Sequence, residues 1–245
     1  MLALSTPALA QSSRTNMPEG SSEKTGALAA FIGPASEGSA KQLFMALPLF
    51  SVRWSNGAFV RMNVIGLQLS DRPDLEYGLI AVPTFSRRTV LSADGVQDQR
   101  RFTPELGGYL DYSVAHGIMV SSSLLYGGST DHRGLRLEFG GQLSMPVAEH
   151  HSLGVQASVA LANRAALQAD FAVSPEQASA ALAEHDVHAG VRSSVLGARW
   201  TWALNHKYTL SSALQWRQLH GSAAASTRVE QAGGLALTSI LSYSF

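Results

Sequence analysis

Alternation of apolar with small or polar residues, in segments of about ten residues, constrains the fold of this chain more than any other feature. The clearest segment runs from Leu135 to Met145, where every second residue except Gly141 is apolar. Residues 153–162 repeat the pattern. A period of two residues is typical of strands with one apolar face. The sequence therefore predicts an all-β fold.

Eleven candidate strands follow residue 25. They lie at 26–33, 43–54, 58–69, 75–85, 110–114, 118–126, 135–145, 153–162, 196–204, 208–217 and 235–245. Residues 43–54 are apolar on both faces and contain Pro48, which predicts a bulge or an edge-like stretch. Residues 58–69 change phase near Val64, which predicts a bulge.

The connections alternate in length. Short ones lie at 115–117, 147–151 and 205–207, and long ones at 87–104, 128–134, 163–188 and 220–233. Short turns on one side and long loops on the other are typical of a closed antiparallel transmembrane β-barrel of the outer membrane. Such barrels have an even number of strands. We expect ten if residues 26–33 do not span, or twelve if residues 87–104 hold another strand.

A secreted β-sandwich would also alternate, but two observations favour the barrel. The faces opposite the apolar ones carry Ser, Gly, Gln and single charges, where a sandwich core would carry Leu and Ile. Aromatic residues on the apolar faces cluster near strand ends, as at a membrane interface. They are Tyr112, Tyr126, Trp200, Trp202, Tyr208, Trp216 and Tyr243.

Composition excludes several functions. The 18 basic and 18 acidic residues cancel, which argues against a nucleic-acid partner, since that needs a basic face. Charged residues are only 15% of the chain, against about 25% in soluble domains. There is no cysteine, so disulfides and thiol chemistry are excluded.

The N-terminus predicts export. Ala8-Leu9-Ala10 before Gln11 fits the cleavage site of a secretory signal peptide, so we expect residues 1–10 to be the remnant of one whose start lies upstream of Met1. Residues 11–25 are expected to form a flexible segment, and residues 26–245 the barrel.

Seven charged residues fall on the less apolar faces and are predicted to form a polar network in the barrel lumen. Because a lone buried charge is costly, we expect Arg–carboxylate pairing. A structural polar interior is favoured over a selectivity filter. The residues are Arg61, Glu76, Asp111, Arg136, Glu138, Arg199 and Arg217.

The longest extracellular loop is predicted to carry a short helix. Ser174 can cap it, Pro175 suits its first position and Gln177 completes a capping box. Residues 178–184 continue with good helix formers. A helix that only stiffens the loop is favoured over a lid that contacts a ligand.

No catalytic, cofactor or metal site is predicted. His185 and His188 lack the helical spacing of zinc proteases, and a solvated loop is favoured there. Asp131 and His132 beside Ser129 form the only constellation that could suggest a hydrolase, and its spacing is not specific.

Several landmarks resemble the MipA/OmpV family of Gram-negative outer-membrane proteins over residues 26–245. They are Pro34–Ser39, Leu47–Phe50, Trp54–Gly57, Phe171–Ala178 and Leu241–Phe245. The resemblance implies an outer-membrane β-barrel in contact with outer-membrane lipid, and no catalytic residue set. It also implies that Leu241, Tyr243 and Phe245 are the signal read by the barrel-assembly machinery.

The family's namesake links a lytic murein transglycosylase to a bifunctional penicillin-binding protein. The resemblance therefore implies a non-enzymatic scaffold for murein-remodelling machinery. The polar inward faces leave a second hypothesis, a passive porin-like channel for small solutes.

Overall fold

The chain forms a closed antiparallel β-barrel. A computed structural model describes residues 17–92, 95–129, 132–175, 178 and 182–245. The strands are β1 Ser22–Pro34, β2 Gln42–Trp54, β3 Ala58–Arg61, β4 Val64–Gln68, β5 Leu75–Ser92, β6 Gly95–Ala115, β7 Ile118–Ser129, β8 His132–Ala148, β9 His151–Ala162, β10 Gly190–Ala203, β11 Tyr208–Leu219 and β12 Gly233–Ser244. Two short helices, α1 Arg164–Phe171 and α2 Gly221–Ala224, lie in loops.

Every strand pairs with its neighbours in the sequence, and β1 closes the ring against β12. Leu28 is paired with Leu241 of β12 on one side and with Pro48 of β2 on the other. Closure satisfies the backbone groups that an open edge would leave unpaired in lipid. The predicted fold class is confirmed.

The strand number of twelve, at the upper end of the predicted range, arises differently from either expected route. Residues 26–33 do belong to a long strand, β1. The additional strand comes from residues 58–69, which divide into β3 and β4 around a turn where Met62 has φ 52°. The bulge predicted near Val64 is therefore wrong: a tight turn resets the alternation in the same way that a bulge does.

The predicted loop at 87–104 is also wrong, because β5 and β6 continue as one hairpin through this region. Two long connections remain at the end opposite the termini, residues 163–189 and 220–232. They carry α1 and α2 respectively. Neither helix has the length and apolar character needed to cross a membrane, within the described part of the chain.

The outer surface carries an apolar band between two rows of aromatic residues. At the end that holds both termini, Tyr112, Trp202 and Tyr208 are exposed. At the other end, Tyr126 and Trp216 are exposed. These are the girdles of a barrel that spans a membrane, and the end with the termini and short turns is the periplasmic one.

The N-terminal boundaries differ from the predicted ones. Strand β1 begins at Ser22, four residues before the expected start of the barrel at residue 26. Gly20 donates its N–H to Ser55 Oγ at 2.9 Å, which holds the preceding turn against the β2–β3 connection. The proposed signal-peptide remnant, residues 1–10, lies outside the described residues.

Candidate functional site

A small hydrophobic cluster formed by two loops and the strand ends beneath them lies at the extracellular mouth of the barrel. We define the mouth lid as the described residues of the connections 163–189 and 220–232. Its core and the strand ends beneath it consist of Ala162, Ala166, Leu167, Phe171, Val187, Leu219 and Ala223. Leu167, Val187 and Ala223 are fully buried. Burial of this kind gives the lid a packed core of its own above the lumen.

Helix α1 begins after Asn163, which caps it, and not after Ser174, the predicted cap. Asn163 Oδ1 accepts a hydrogen bond from the N–H of Ala166 at 2.9 Å, which satisfies the first helical turn. The same oxygen accepts the N–H of Leu135 in β8 at 3.0 Å, so the cap also fastens the helix to the wall. Leu167 and Phe171, one turn apart, both face the core of the lid.

The predicted helix after Ser174 is not where the helix of this loop lies. The N–H of Ala178 donates to Ser174 O at 3.1 Å, which makes a single turn beside Pro175. Ala183 and Glu184 are outside any helix, and Gln177 is outside the described residues. The capping box therefore stays a prediction.

His185 and His188 form hydrogen bonds that connect the two loops of the mouth lid. Val173 and His185 form an isolated antiparallel bridge, and His185 Nε2 lies 2.8 Å from Ser222 O. The N–H of His188 donates to Ser222 Oγ at 3.0 Å. No group of three His, Asp or Glu side chains that could hold a metal ion occurs in the described part of the chain. The two histidines join the two loops of the lid.

Below the lid, four charged residues form what we call the mouth hub: Glu37, Asp170, Arg192 and Arg217. Glu37 Oε2 lies 2.5 Å from Arg192 Nη2, and Glu37 Oε1 lies 2.7 Å from Arg217 Nη1. Asp170 Oδ2 lies 2.7 Å from Arg192 Nη1. The hub therefore ties the β1–β2 loop, helix α1 and strands β10 and β11 to each other.

Arg192 occupies the centre of the hub because of a β-bulge. The register of β10 on β9 shifts between Val191 and Ser193, so Arg192 is an extra residue in the strand. By simple alternation it would share the outer face with Leu196. The bulge turns its side chain inward, where it is only 6% exposed and lies over the Phe171 ring at 5.0 Å.

The β1–β2 loop that carries Glu37 is fixed across the mouth. Gly38 has φ 84°, which favours glycine, and its carbonyl accepts the N–H groups of Glu230 and Gln231 at 2.8 and 3.1 Å. A Cβ at Gly38 would lie 2.8 Å from Val229 Cγ2. The pocket beneath this loop has a volume of about 80 Å³. Ligand pockets are usually several times larger.

Electrostatics hold Glu37 ionised. Burial raises the pKa of its carboxyl group, but the guanidinium groups of Arg192 and Arg217 outweigh burial and lower the pKa to about 2. Glu37 is therefore ionised throughout the physiological pH range.

The seven predicted lumen residues all face inward, but they do not form one network. Asp111 is paired in register with Glu76 across β5 and β6, and Glu76 Oε1 lies 3.8 Å from Arg53 Nη1. Arg61, on the same inner face, has its guanidinium 5.3 Å from the centre of the Phe59 ring. This group lies in the periplasmic half of the lumen.

The remaining predicted residues lie elsewhere on the inner wall. Arg136 of β8 forms an ion pair with Glu105 of β6, and Glu138 lies two residues along the same face. Arg199 Nη2 lies 3.4 Å from Gln156 Oε1. Only Arg217 belongs to the mouth hub.

Sequence reasoning missed Glu37, Arg53, Glu105, Asp170 and Arg192. Alternation could have placed Arg53 and Glu105, since they have inward parity in β2 and β6. Glu37 and Asp170 lie in a loop and a helix, where a period of two residues gives no information. The Ser129, Asp131 and His132 side chains lie outside the described residues.

Removal of the Glu37 charge is expected to destabilise the barrel. In Glu37→Gln, Arg217 loses its carboxylate while Asp170 still pairs with Arg192. We expect a loss of about 3 kcal/mol, the lower end of the cost of breaking a buried ion pair. Urea unfolding of the refolded protein in lipid vesicles at neutral pH measures it.

The same difference should depend on pH. Because folding lowers the pKa of Glu37 from 4.5 to about 2, its contribution is complete above the unfolded value and is lost as the pH falls from 4.5 towards 2. Asp186→Asn, which breaks the exposed pair with Arg164, is the control and should change stability little. A wild-type advantage over Glu37→Gln that stays constant down to pH 2 would contradict this account.

Comparisons with known proteins place the chain in a family. Residues 26–245 match the family model described as MltA-interacting protein MipA. No match was found among curated protein sequences.

Solved structures with a similar shape are outer-membrane proteins. The NanC porin is 8% identical, with 88% of this chain and 98% of that chain covered and a TM-score of 0.47. An outer-membrane channel from Pseudomonas putida F1 is 9% identical, with 94% and 97% covered and a TM-score of 0.46. The translocator domain of the autotransporter NalP from Neisseria meningitidis is 12% identical, with 94% and 90% covered and a TM-score of 0.49. These values do not relate the functions of those proteins to that of this chain.

The family match covers most of the sequence, including the mouth hub and all of the barrel wall after the first four residues of β1. The chain therefore belongs to the MltA-interacting protein MipA family.

Proposed function

We propose that this chain is a non-enzymatic outer-membrane scaffold that holds murein-remodelling enzymes at the membrane. The observation that carries the proposal is the ion-paired hub beneath the packed mouth lid. Arg192, the centre of the hub, is almost completely buried. An interior occupied in this way suits an anchor better than an open pore. The family and the barrel fold favour a role without catalysis.

The partners follow from the family. Its description names an interaction with MltA, and the resemblance noted above implies a lytic transglycosylase and a bifunctional penicillin-binding protein. Such partners would meet the barrel at its periplasmic rim. The longest described connection there is the β4–β5 turn, residues 69–74. In it Leu69 and Asp71 are exposed, and Arg72 Nε donates to Asp74 Oδ1 at 3.0 Å.

A charge reversal in this turn is expected to weaken capture of the partners. Tagged wild-type protein from solubilised envelopes should enrich lytic transglycosylases and penicillin-binding proteins, detected by mass spectrometry. Arg72→Glu should reduce the enrichment several-fold, because it breaks the pair with Asp74 and changes the net charge of the turn from −1 to −3. Lys41→Glu, an exposed change at the opposite end, is the matched control and should behave like wild type. No enrichment with the wild type would remove the scaffold proposal.

A passive channel is the second candidate. The inner wall between the mouth and the periplasmic rim carries Gln156, Ser158 and Arg199, which could line a path for small polar solutes. A path through the whole barrel would also have to pass the mouth hub. That requirement makes the scaffold the better-supported proposal.

We also propose that Leu241, Tyr243 and Phe245 are recognised by the barrel-assembly machinery, after export through a signal peptide that ends near Ala10. Phe245 is 77% exposed and contacts Tyr243 edge-on at 4.8 Å between ring centres. Because the Phe245 side chain buries little surface, folding of the barrel is not expected to depend on it. Recognition by the barrel-assembly machinery would depend on the exposed ring.

Phe245→Ala is therefore expected to reduce the amount of folded barrel in the outer membrane while in-vitro refolding stays unchanged. Heat-modifiable gel mobility measures both. Leu237→Ala, a lipid-facing change within the same strand, is the control and should assemble like wild type. An equal loss in cells and in vitro would assign Phe245 a structural role and contradict the proposal.

A further inference from the structure

The short β3–β4 hairpin leaves part of the barrel wall without paired strands. β3 and β4 have four and five residues, whereas β2 and β5 on either side have 13 and 18. β2 pairs with β3 only through Ser51–Arg53, and β5 pairs with β4 only through Gly78–Ala81. Above the hairpin, no strand among the described residues pairs with the facing edges of β2 and β5.

We call this part of the wall the lateral window; its edges are residues 42–49 of β2 and 82–92 of β5. The missing length of two strands corresponds to a width of about 10 Å at the usual strand spacing. A tilted strand crosses the hydrocarbon layer in about 9–11 residues. Trp54 is exposed at the periplasmic end of β2, level with the periplasmic girdle. Counted from Trp54, the window therefore reaches through the outer half of the bilayer.

In a strand, the backbone N–H and C=O groups of successive residues point alternately to its two sides. By this alternation, each edge of the window carries one proline whose backbone faces the window. The N–H of Met62 donates to Phe50 O at 3.3 Å, so even-numbered residues of β2 direct their backbone polar groups toward the window. Pro48 has this parity. The N–H of Leu69 donates to Tyr77 O at 2.9 Å, so odd-numbered residues of β5 do the same, and Pro83 has that parity.

At both prolines the open edge therefore lacks the N–H donor that any other residue would direct toward the window. Proline in a strand is confined to edges of this kind, and it blunts an edge against pairing with another strand. A partner strand or a second copy of this chain that extended the sheet would lose a hydrogen bond on each side. The two prolines therefore disfavour the addition of another strand at the window.

The side chains beside the window are apolar on both faces of the wall. Phe44 and Phe50 of β2 and Ile65 of β4 are exposed on the outer face. On the inner face, Leu47 and Leu49 are half-buried and Val82 is buried. Leu47 shares its face with Ala29, its partner in β1, which is only 4% exposed. Elsewhere the inner wall carries the charged and polar residues described above, with single buried apolar residues such as Phe59 and Ile240 among them.

An apolar surface thus continues from the lipid-facing side through the window to the lumen. Open backbone groups at membrane depth are tolerated only where they border protein or a water-filled cavity. The carbonyl groups of the window therefore need a polar partner on its inner side. A molecule with both a hydrocarbon chain and a polar end matches the two surfaces that meet here.

We infer that the lateral window admits acyl chains of membrane amphiphiles from the bilayer into the lumen. The chain lies against Leu47 and Leu49, and the polar end lies on the lumen side of the window, next to its open carbonyl groups. This inference is independent of the scaffold role proposed above, since it concerns the wall and not the periplasmic rim.

Fluorescence quenching tests the inference directly, because the chain has no native cysteine. Single variants Leu47→Cys, Phe50→Cys and Ser158→Cys are labelled with bimane and reconstituted into vesicles. Phe50 is the lipid-facing reference. Ser158 is the matched control, since it faces the lumen from β9 with a paired strand on each side. The quencher is a doxyl group, carried in one arm on phosphatidylcholine and in the other on stearic acid.

We expect Leu47→Cys to be quenched nearly as strongly as Phe50→Cys, and Ser158→Cys hardly at all. Quenching by both quenchers, or by phosphatidylcholine alone, supports entry of bilayer lipid chains; quenching by stearic acid alone supports entry of single-chain amphiphiles. No quenching at Leu47 in either arm, with Phe50→Cys quenched, overturns the inference. Heat-modifiable mobility checks folding, and Leu49→Cys replaces Leu47→Cys if that variant does not fold.

Discussion

The structure depends on one constraint: backbone N–H and C=O groups inside a bilayer must find partners within the protein. A ring of antiparallel strands meets that constraint, and β1 closes it by pairing with β12 from Thr25 to Ile32. Once the ring is closed, each strand has one face toward lipid and one toward the lumen. The alternation of the sequence is the consequence, and so is the near absence of charge among the lipid-facing side chains that the structure describes.

The same constraint decides what fills the interior. A charge that faces a narrow lumen is costly unless an opposite charge or a polar group stands beside it. The pairs Arg136–Glu105 and Arg53–Glu76 meet this need in the wall, and the hub of Glu37 and Arg192 meets it at the mouth. The hub also joins four elements: the β1–β2 loop, helix α1 and strands β10 and β11. Interior charge compensation and closure of the mouth are therefore achieved by the same side chains.

Much of the wall could be predicted from the sequence, because a period of two residues is a direct record of which face a residue occupies. The inward positions of Glu76, Asp111 and Arg199 follow from it. It fails where the backbone departs from regular pleating. Met62 adopts φ 52° in a turn that alternation alone cannot distinguish from a bulge, and the bulge at Arg192 reverses the side on which that residue would be placed.

Loops were harder to predict for a different reason. Ser174 and Asn163 are both acceptable caps by local rules, and packing decides between them. Leu167 and Phe171 bury themselves in the mouth lid only if the helix starts after Asn163. Glu37 lies in a loop whose position depends on contacts with residues 229–231, almost 200 positions away in the chain. Such contacts leave no local pattern in the sequence.

The central claim is that the mouth hub and the mouth lid close the barrel, so that it serves as an anchor. Single-channel recording of the refolded wild-type protein in a planar lipid bilayer tests this most directly. The account predicts insertion without stable unitary conductance steps at neutral pH. Reproducible unitary steps from the wild-type barrel would contradict it and would favour the passive channel.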